Sequence, residues 1–188
     1  MVTPATIMSA KQYEAFAVTE EGRRVELHGG RLVEKPDMSI AHEWWQSRLA
    51  MQLGRQLDPA EYLVQSGARL KRDDEHYFIP DVAVVPVTLI NPNREQWRGL
   101  NLFDVDQPLP LVVEIWSPST GTYDDDLKFP VYQQRGDLEI WRLHPYDKTL
   151  TVWRRQAGGT YREATYRSGR LSLFALPDVV IDLDALFA

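Results

Sequence analysis

The stretch Phe78-Ile-Pro-Asp-Val-Ala-Val-Val85 and, one loop later, Leu111-Val-Val-Glu-Ile-Trp116 decide the fold. Each is an apolar run of strand length, rich in β-branched residues. A single acid interrupts each run, Asp81 in the first and Glu114 in the second. Long apolar runs of this kind are typical of strands buried inside an α/β protein. The sequence therefore predicts a sheet in which two consecutive strands each carry one carboxylate.

The segments before this pair alternate between helix and strand patterns. Ser9-Ala-Lys-Gln12 has the form of a capping box and predicts a helix that ends near Gly22. Residues 24–34 predict a hairpin around Gly29-Gly30, because paired glycines supply the positive φ of a two-residue turn. Residues 41–57 predict an amphipathic helix, since apolar residues recur there every four positions.

The remaining segments complete an α/β pattern. Strands are expected over 62–70, 76–85 and 109–116, and a second helix follows Asp124-Asp125-Asp126, is disturbed by Pro130 and ends at Gly136. This order predicts an α/β or α+β sandwich around one mixed sheet. The later strands are expected over 138–143, 149–154, 161–166 and, as a strand or turn, 178–187.

Composition limits the chemistry. The chain has 188 residues, 44% hydrophobic and 26% charged, which predicts one globular domain over residues 1–188. No run is long and apolar enough to span a membrane and the start is not leader-like, so we expect a cytoplasmic protein with no membrane partner. The absence of cysteine excludes disulfides, thiolate catalysis and Cys-ligated zinc. Catalysis would then need carboxylates, histidine, lysine, serine or a hard metal ion.

Charge limits the partners. The net charge of −6, from 21 Lys and Arg against 27 Asp and Glu, argues against a surface that binds nucleic acid everywhere. Only a local basic face could do so. Six arginines cluster toward the C-terminal end of the sequence: Arg142, Arg154, Arg155, Arg162, Arg167 and Arg170. They could form such a basic face, or they could serve only as solubilising charge on exposed strands.

Asp81 and Glu114 are the first candidates for function. An ionised acid inside a buried strand is costly unless it is paired or binds a cation. Each acid could instead lie at an exposed strand end or pair with an arginine, but two of them on consecutive strands favour a shared site. Two neighbouring carboxylates suit Mg²⁺, which needs few protein ligands, with Mn²⁺ as a substitute.

Lys128 and His42 are further candidates. Lys128 is expected on the helix that follows the Glu114 strand, where its ammonium could reach a metal-bound water. Asp124 stands four residues earlier, so an ordinary i,i+4 ion pair would also explain the lysine. His42 begins a helix and could ligate a metal, carry a proton or face solvent. The loops and motifs typical of nucleotide-triphosphate, dinucleotide, serine-hydrolase and zincin sites are absent from the sequence.

Several segments resemble the Uma-type family of restriction endonucleases, within the PD-(D/E)XK nuclease superfamily. The resemblance covers most of the chain, and its most specific part runs from Glu114 to Trp141. The segments are Val25-Glu-Leu-His-Gly-Gly-Arg-Leu-Val33, His42, Ile79-Pro-Asp-Val-Ala-Val-Val85, Leu111-Val-Val-Glu-Ile-Trp-Ser-Pro-Ser-Thr120, Tyr123-Asp124, Lys128, Tyr132, Leu138-Glu-Ile-Trp141 and Ile181-Asp-Leu-Asp-Ala-Leu-Phe187.

The resemblance implies an α/β fold with a restriction-endonuclease-like core, a central mixed sheet flanked by helices, with an additional N-terminal hairpin and C-terminal strands. It also implies that Asp81 and Glu114 hold a divalent metal ion. The superfamily places a lysine two residues after the second acid, where this chain has Trp116. The resemblance implies that Lys128 takes that role. A recurrent acid of the family matches Glu26 in the early hairpin.

The expected pocket therefore also includes Glu26, His42 and Asp124. On this basis the sequence predicts a magnesium-dependent endonuclease that hydrolyses phosphodiester bonds of DNA and forms a homodimer. Its rival is a homodimeric or partner-binding scaffold with the nuclease fold and weak or no catalysis, favoured by the missing strand lysine and the acidic charge. A carboxylate-based glycoside hydrolase is a third alternative, with only the six tryptophans in its favour.

Overall fold

Short strands alternate with four helices in the residues that the structure describes. The structure is a computed structural model, and it describes residues 7–90, 102–104, 107–118 and 127–188. The helices are α1 (Ala10–Ala17), α2 (Ile40–Gly54), α3 (Phe129–Arg135) and α4 (Leu183–Phe187), with a 3-10 helix at Val87–Leu89. The strands are β1 (Val25–His28), β2 (Arg31–Glu34), β3 (Tyr62–Ser66), β4 (Arg69–Asp73), β5 (His76–Phe78), β6 (Val82–Pro86), β7 (Leu102–Asp104), β8 (Leu111–Ile115), β9 (Glu139–His144), β10 (Thr149–Arg155), β11 (Tyr161–Tyr166), β12 (Arg170–Ser172) and β13 (Val180–Asp182).

The strands form two larger sheets and one small sheet. The first runs β2-β1-β5-β4-β7, the second β11-β10-β9-β8-β6-β3, and the small one pairs β12 with β13. Both larger sheets are mixed, because β4 with β7 and β8 with β9 are parallel pairs. A parallel pair needs a crossover, and α3 lies on the connection from β8 to β9. The predicted mixed sheet with flanking helices is confirmed, and the N-terminal hairpin belongs to a second large sheet.

Both faces of the six-stranded sheet are covered. Val113 of β8 points to a core that includes α2, β12, β13 and α4. Val112 points to the opposite core, which includes Tyr132 of α3 and Phe78 of β5. Because side chains alternate along a strand, Glu114 shares the face of Val112. The acid therefore lies on the α3 side of the sheet.

The predicted capping box at the start of α1 is confirmed. The Ser9 side chain accepts a hydrogen bond from the Gln12 N–H, and the Gln12 side chain accepts one from the Ser9 N–H. The predicted end near Gly22 is wrong, since α1 stops at Ala17. The Thr19 hydroxyl donates to the Phe16 carbonyl over 2.7 Å, which satisfies an acceptor that a longer helix would have used.

The second predicted helix is confirmed as α3, but Pro130 does not disturb it. The proline lies in the first turn, where a backbone N–H has no intrahelical acceptor to lose. Gly136 ends the helix as predicted, with φ of +84°.

Two predicted strands are each divided in two. Gly67, with φ of +68°, separates β3 from β4 within residues 62–70. Residues 79–81 separate β5 from β6, and these two strands belong to different large sheets. Asp81 therefore lies where the chain crosses from one sheet to the other. The expected C-terminal strand or turn consists of β13 followed by α4. Among the described helices, none combines the length and apolar character needed to span a bilayer.

Candidate active site

Asp81 and Glu114 lie side by side. Strands β6 and β8 are antiparallel, with Val82 opposite Val113. Asp81 directly precedes Val82 and Glu114 directly follows Val113, so this register places the two residues next to each other. The Ile115 N–H donates to Asp81 Oδ2 over 2.7 Å. The structure thus brings together the two acids that the sequence predicted to share a site.

Lys128 lies against Glu114. It directly precedes α3, and its Nζ atom is 3.3 Å from Glu114 Oε1 and 3.0 Å from Glu26 Oε1. The lysine side chain is only 1% exposed. The Tyr132 hydroxyl, from the next turn, donates to Glu114 Oε1 over 2.6 Å. Burial, and then the charge of Glu114, raise the pKa of Tyr132 well above its ordinary value, so the hydroxyl remains a donor.

Glu26 joins the cluster from the other large sheet. It lies on β1 and is 1% exposed. Its Oε1 atom accepts a hydrogen bond from the Ile79 N–H over 2.6 Å and contacts Lys128. Glu26 thus lies beside Lys128, and its bond to Ile79 ties β1 to the crossing point before Asp81.

Lys35 is a member of the cluster that the sequence analysis missed. It directly follows β2, and its Nζ atom donates to Asp81 Oδ1 and to the Ile79 carbonyl, both over 2.7 Å. Nothing in its spacing distinguishes it from an exposed lysine at the end of a hairpin. The only signal was its place between two segments that carry the family resemblance, the hairpin and the helix of His42.

The first turns of α2 approach Asp81 from the other side. His42 Nε2 lies 3.1 Å from Asp81 Oδ2, close enough for an ion pair when the ring is protonated, although the atoms are not aligned as a hydrogen bond. Gln46, one turn later, donates from Nε2 to the Asp81 carbonyl over 2.6 Å. His42 is thus in the expected pocket, and Gln46 is a second residue that the sequence analysis missed.

The charges of this cluster lower the pKa of Asp81 and raise the pKa of Lys35. Burial alone would raise the pKa of Asp81, but the Lys35 ammonium and His42 lower it by more, so the pKa lies well below its usual value. Burial alone would lower the pKa of Lys35, but Asp81 raises it by more. Both groups are therefore ionised at neutral pH.

The cluster contains oxygen donors that suit a hard cation. The carboxylates of Glu26, Asp81 and Glu114 face the ammonium groups of Lys35 and Lys128, which leaves one formal negative charge. Carboxylates are the side chains that Mg²⁺ and Mn²⁺ prefer. In the part of the chain that the structure describes, no three His, Asp or Glu side chains are already gathered as a metal site. The carboxylates are of the type that binds a divalent cation, and such a cation would have to contact carboxylates that already pair with Lys35 and Lys128.

A partly open cavity of about 120 Å³ adjoins the cluster. Lys35 and His42 form the part of its wall nearest Asp81, and Ser117 and Tyr146 lie in its lining. The cavity thus connects solvent with the charged groups. Asp124, expected in the same pocket, lies outside the described residues.

Two of the six C-terminal arginines, Arg142 and Arg154, contact other side chains of the protein. Arg154 donates from Nε to the buried Glu139 Oε1 over 2.8 Å. The Arg142 guanidinium lies over the Trp153 ring, 5.4 Å from its centroid. These two arginines are therefore engaged within the protein.

The described residues thus form a mixed sheet with helices on both faces, and buried acids and lysines gather where the chain crosses between the two large sheets. The chain belongs to the Uma2 family, described as "Putative restriction endonuclease", whose family model matches residues 10–184. The resemblance that the sequence analysis identified is confirmed.

A solved structure has the same fold. It is described as the crystal structure of "a putative nuclease belonging to DUF820 from Anabaena variabilis". The match has a TM-score of 0.75 at 18% sequence identity and covers 96% of this chain and 97% of that one. Among the curated proteins, no sequence matches this chain.

Proposed function

We propose that this protein is an endonuclease that uses a divalent cation, Mg²⁺ or Mn²⁺, to hydrolyse phosphodiester bonds of DNA. The proposal is carried by the meeting of Asp81, Glu114 and Lys128 in one buried cluster, although they are far apart in the sequence. Membership of a family described as restriction endonucleases supports it.

Asp81 and Glu114 are the proposed metal ligands. Asp81 directly precedes β6 and Glu114 lies on the neighbouring β8, and neither side chain is more than 8% exposed. Asp81 needs no deprotonation at neutral pH, because its pKa is lowered. A divalent cation, when bound, polarises a phosphate oxygen and lowers the pKa of a water molecule.

The two lysines are proposed to have different roles. Lys128 is enclosed by Glu26 and Glu114, so it compensates their charge and holds them in position. Lys35 faces the cavity and can contact a phosphate oxygen there. It offsets the negative charge that develops as water adds to phosphorus and one ester P–O bond breaks, leaving a phosphate monoester and a hydroxyl end. Burial thus favours Lys35 over Lys128 as the lysine that reaches the substrate.

Tyr132 and Gln46 are proposed to orient the two acids. Tyr132 donates to the Glu114 carboxylate, and Gln46 donates to the Asp81 carbonyl. Tyr132 thereby orients the Glu114 carboxylate, whereas Gln46 holds the backbone at Asp81, and loss of such a supporting contact typically costs about 10- to 100-fold in metal affinity or activity.

One observation favours the scaffold alternative. Asp81 is paired with Lys35, and Glu114 with Lys128, so the cluster is largely neutralised by its own side chains. A buried network of this kind can serve structure alone. A cation must then compete with the lysines for the carboxylates, and the outcome of that competition separates the two functions.

Nicking of supercoiled plasmid DNA in Mg²⁺ or Mn²⁺ tests the proposal. We expect cleavage that EDTA stops and that Asp81→Asn and Glu114→Gln each abolish. Glu61→Gln is the matched control, because it changes an exposed acid outside the cluster. If the folded wild-type protein cleaves neither supercoiled, linear nor single-stranded DNA with either metal, the scaffold alternative is favoured.

A further inference from the structure

The cavity beside the cluster has room for one small group. Its volume of about 120 Å³ is comparable to the roughly 150 Å³ of a cavity that takes up benzene. That is the scale of one planar ring or one phosphate group, and far too small for a segment of double helix. Lys35 supplies a positive charge on the side of the cavity nearest Asp81.

An aromatic cluster of Trp116, His144 and Tyr146 adjoins the cavity, and Tyr146 lines it. Trp116 and His144 are stacked, with ring centroids 4.2 Å apart and planes within 21°. Tyr146 meets the Trp116 ring edge-on at 6.0 Å and is 64% exposed. The Asp147 N–H donates to His144 Nδ1 over 3.1 Å, which ties the turn that carries Tyr146 back to β9. Tyr146 is therefore an exposed ring on a fixed support, and it lines the cavity.

We infer that this cavity takes the phosphate of one unpaired nucleotide of DNA near Lys35, while the base of that nucleotide stacks on the exposed ring of Tyr146 at the edge of the cavity. The substrate class is then single-stranded DNA, or duplex DNA with an unpaired end or bulge. This inference rests on the proposed function and specifies its substrate.

The charge of the protein favours the same class. A net charge of −6 gives little long-range attraction for a duplex, whose binding depends on many phosphate contacts. Stacking of a base on an aromatic ring contributes to affinity without such a surface and does not depend on the base sequence. A paired base cannot present its face to Tyr146, whereas an unpaired base can.

The test is the binding of fluorescently labelled oligothymidylate, measured by anisotropy in EDTA so that no hydrolysis is involved. We expect the wild-type protein to bind it more tightly than a duplex of the same length. Tyr146→Ala should weaken this binding by roughly 5- to 150-fold, the range for one stacked base. Tyr146→Phe keeps the ring and should bind like the wild type. Phe174→Ala is the control, because Phe174 is 58% exposed and does not line the cavity.

Three results would overturn the inference. They are equal affinity of the wild type and Tyr146→Ala for oligothymidylate, tighter binding of the duplex, and tighter binding of oligouridylate than of oligothymidylate. If the wild-type protein cleaves plasmid DNA but binds oligothymidylate as tightly as Tyr146→Ala does, the inferred subsite is wrong and the proposed function is still supported. Tyr146-dependent binding by a protein that cleaves nothing supports the subsite and removes the hydrolase.

Discussion

Replacing Lys35 by methionine should expose how strongly the cluster depends on its internal ion pairs. The Lys35 Nζ atom lies 2.7 Å from Asp81 Oδ1, and the two side chains are 12% and 2% exposed. In the variant the Ile115 N–H still donates to the Asp81 carboxylate, but the neighbouring positive charge is lost. Removing one partner of a buried ion pair costs about 3–5 kcal/mol, and the partial exposure of Lys35 places this site near the lower end, about 3 kcal/mol.

The loss should be visible in thermal and chemical unfolding followed by tryptophan fluorescence. For a chain of this size, about 3 kcal/mol corresponds to a fall in Tm of roughly 6–12 °C. The double variant Lys35→Met/Asp81→Asn should recover much of the lost stability, because it also removes the buried negative charge of Asp81 that Lys35→Met leaves unpaired. Lys11→Met is the control, since Lys11 is exposed on α1 and its loss should cost no more than about 0.5 kcal/mol.

The pH dependence gives a second reading of the same pair. The pKa of Asp81 is lowered in the folded protein, so its contribution to stability is fully present above about pH 3.9, the pKa in the unfolded chain. That contribution is lost as the pH falls through the pKa of the folded protein. The pKa of Lys35 is raised in the folded protein, so its contribution to stability is fully present below about pH 10.4, the pKa in the unfolded chain. That contribution is lost as the pH rises through the pKa of the folded protein. The difference between wild type and Lys35→Met should therefore be largest between about pH 4 and 10. A variant within about 0.5 kcal/mol of the wild type at pH 7 would refute this account of the pair.

Three further predictions concern neighbouring features. Tyr132→Phe should lower the free energy of unfolding in urea by about 1.5–3 kcal/mol, because the buried Glu114 carboxylate loses a 2.6 Å hydrogen bond; an unchanged midpoint would contradict this. Gly136→Ala should lower the free energy of unfolding, measured by calorimetry, by about 1–2 kcal/mol, because φ is +84° and the new Cβ would lie 3.1 Å from the Arg155 guanidinium carbon. Gly54→Ala is the control and should cost nothing, because the space around Gly54 is open. Equal effects of the two substitutions would contradict this prediction. Mn²⁺ at about 100 times its Kd should stabilise the wild type by about 2.7 kcal/mol and should stabilise Glu114→Gln much less; equal stabilisation would place the ion elsewhere.

The shared position of Asp81 and Glu114 could be predicted from the sequence because it follows from alternation. Each acid is flanked by apolar residues in a run of strand length, and a buried charge in such a run needs a partner. Two such runs in succession predicted neighbouring strands. The register of Val82 opposite Val113 then places the two acids next to each other.

Lys35 could not be predicted in this way, because its partner is set by the packing of two sheets. It follows a strand of one sheet and pairs with an acid at the start of a strand in the other. The division of residues 76–85 into β5 and β6 creates that contact, and nothing in the apolar pattern marks where the chain leaves the first sheet. The role of Lys128 was open for a similar reason, since its contact with Glu26 also crosses between the sheets.

The homodimer, the cytoplasmic location and the single domain over residues 1–188 stay predictions. Sedimentation equilibrium measures the first of them directly. A dimer would agree with both proposed functions, so this measurement does not choose between the nuclease and the scaffold.

The central claim is that the carboxylates of Asp81 and Glu114 bind one divalent cation, and anomalous diffraction from crystals soaked in Mn²⁺ tests it most directly. We predict one strong anomalous peak at about 2.1 Å from oxygen atoms of both side chains, with the Lys35 ammonium displaced from Asp81 Oδ1. An anomalous map with no peak there, in crystals where both acids keep their lysine partners at high Mn²⁺ concentration, would contradict the claim.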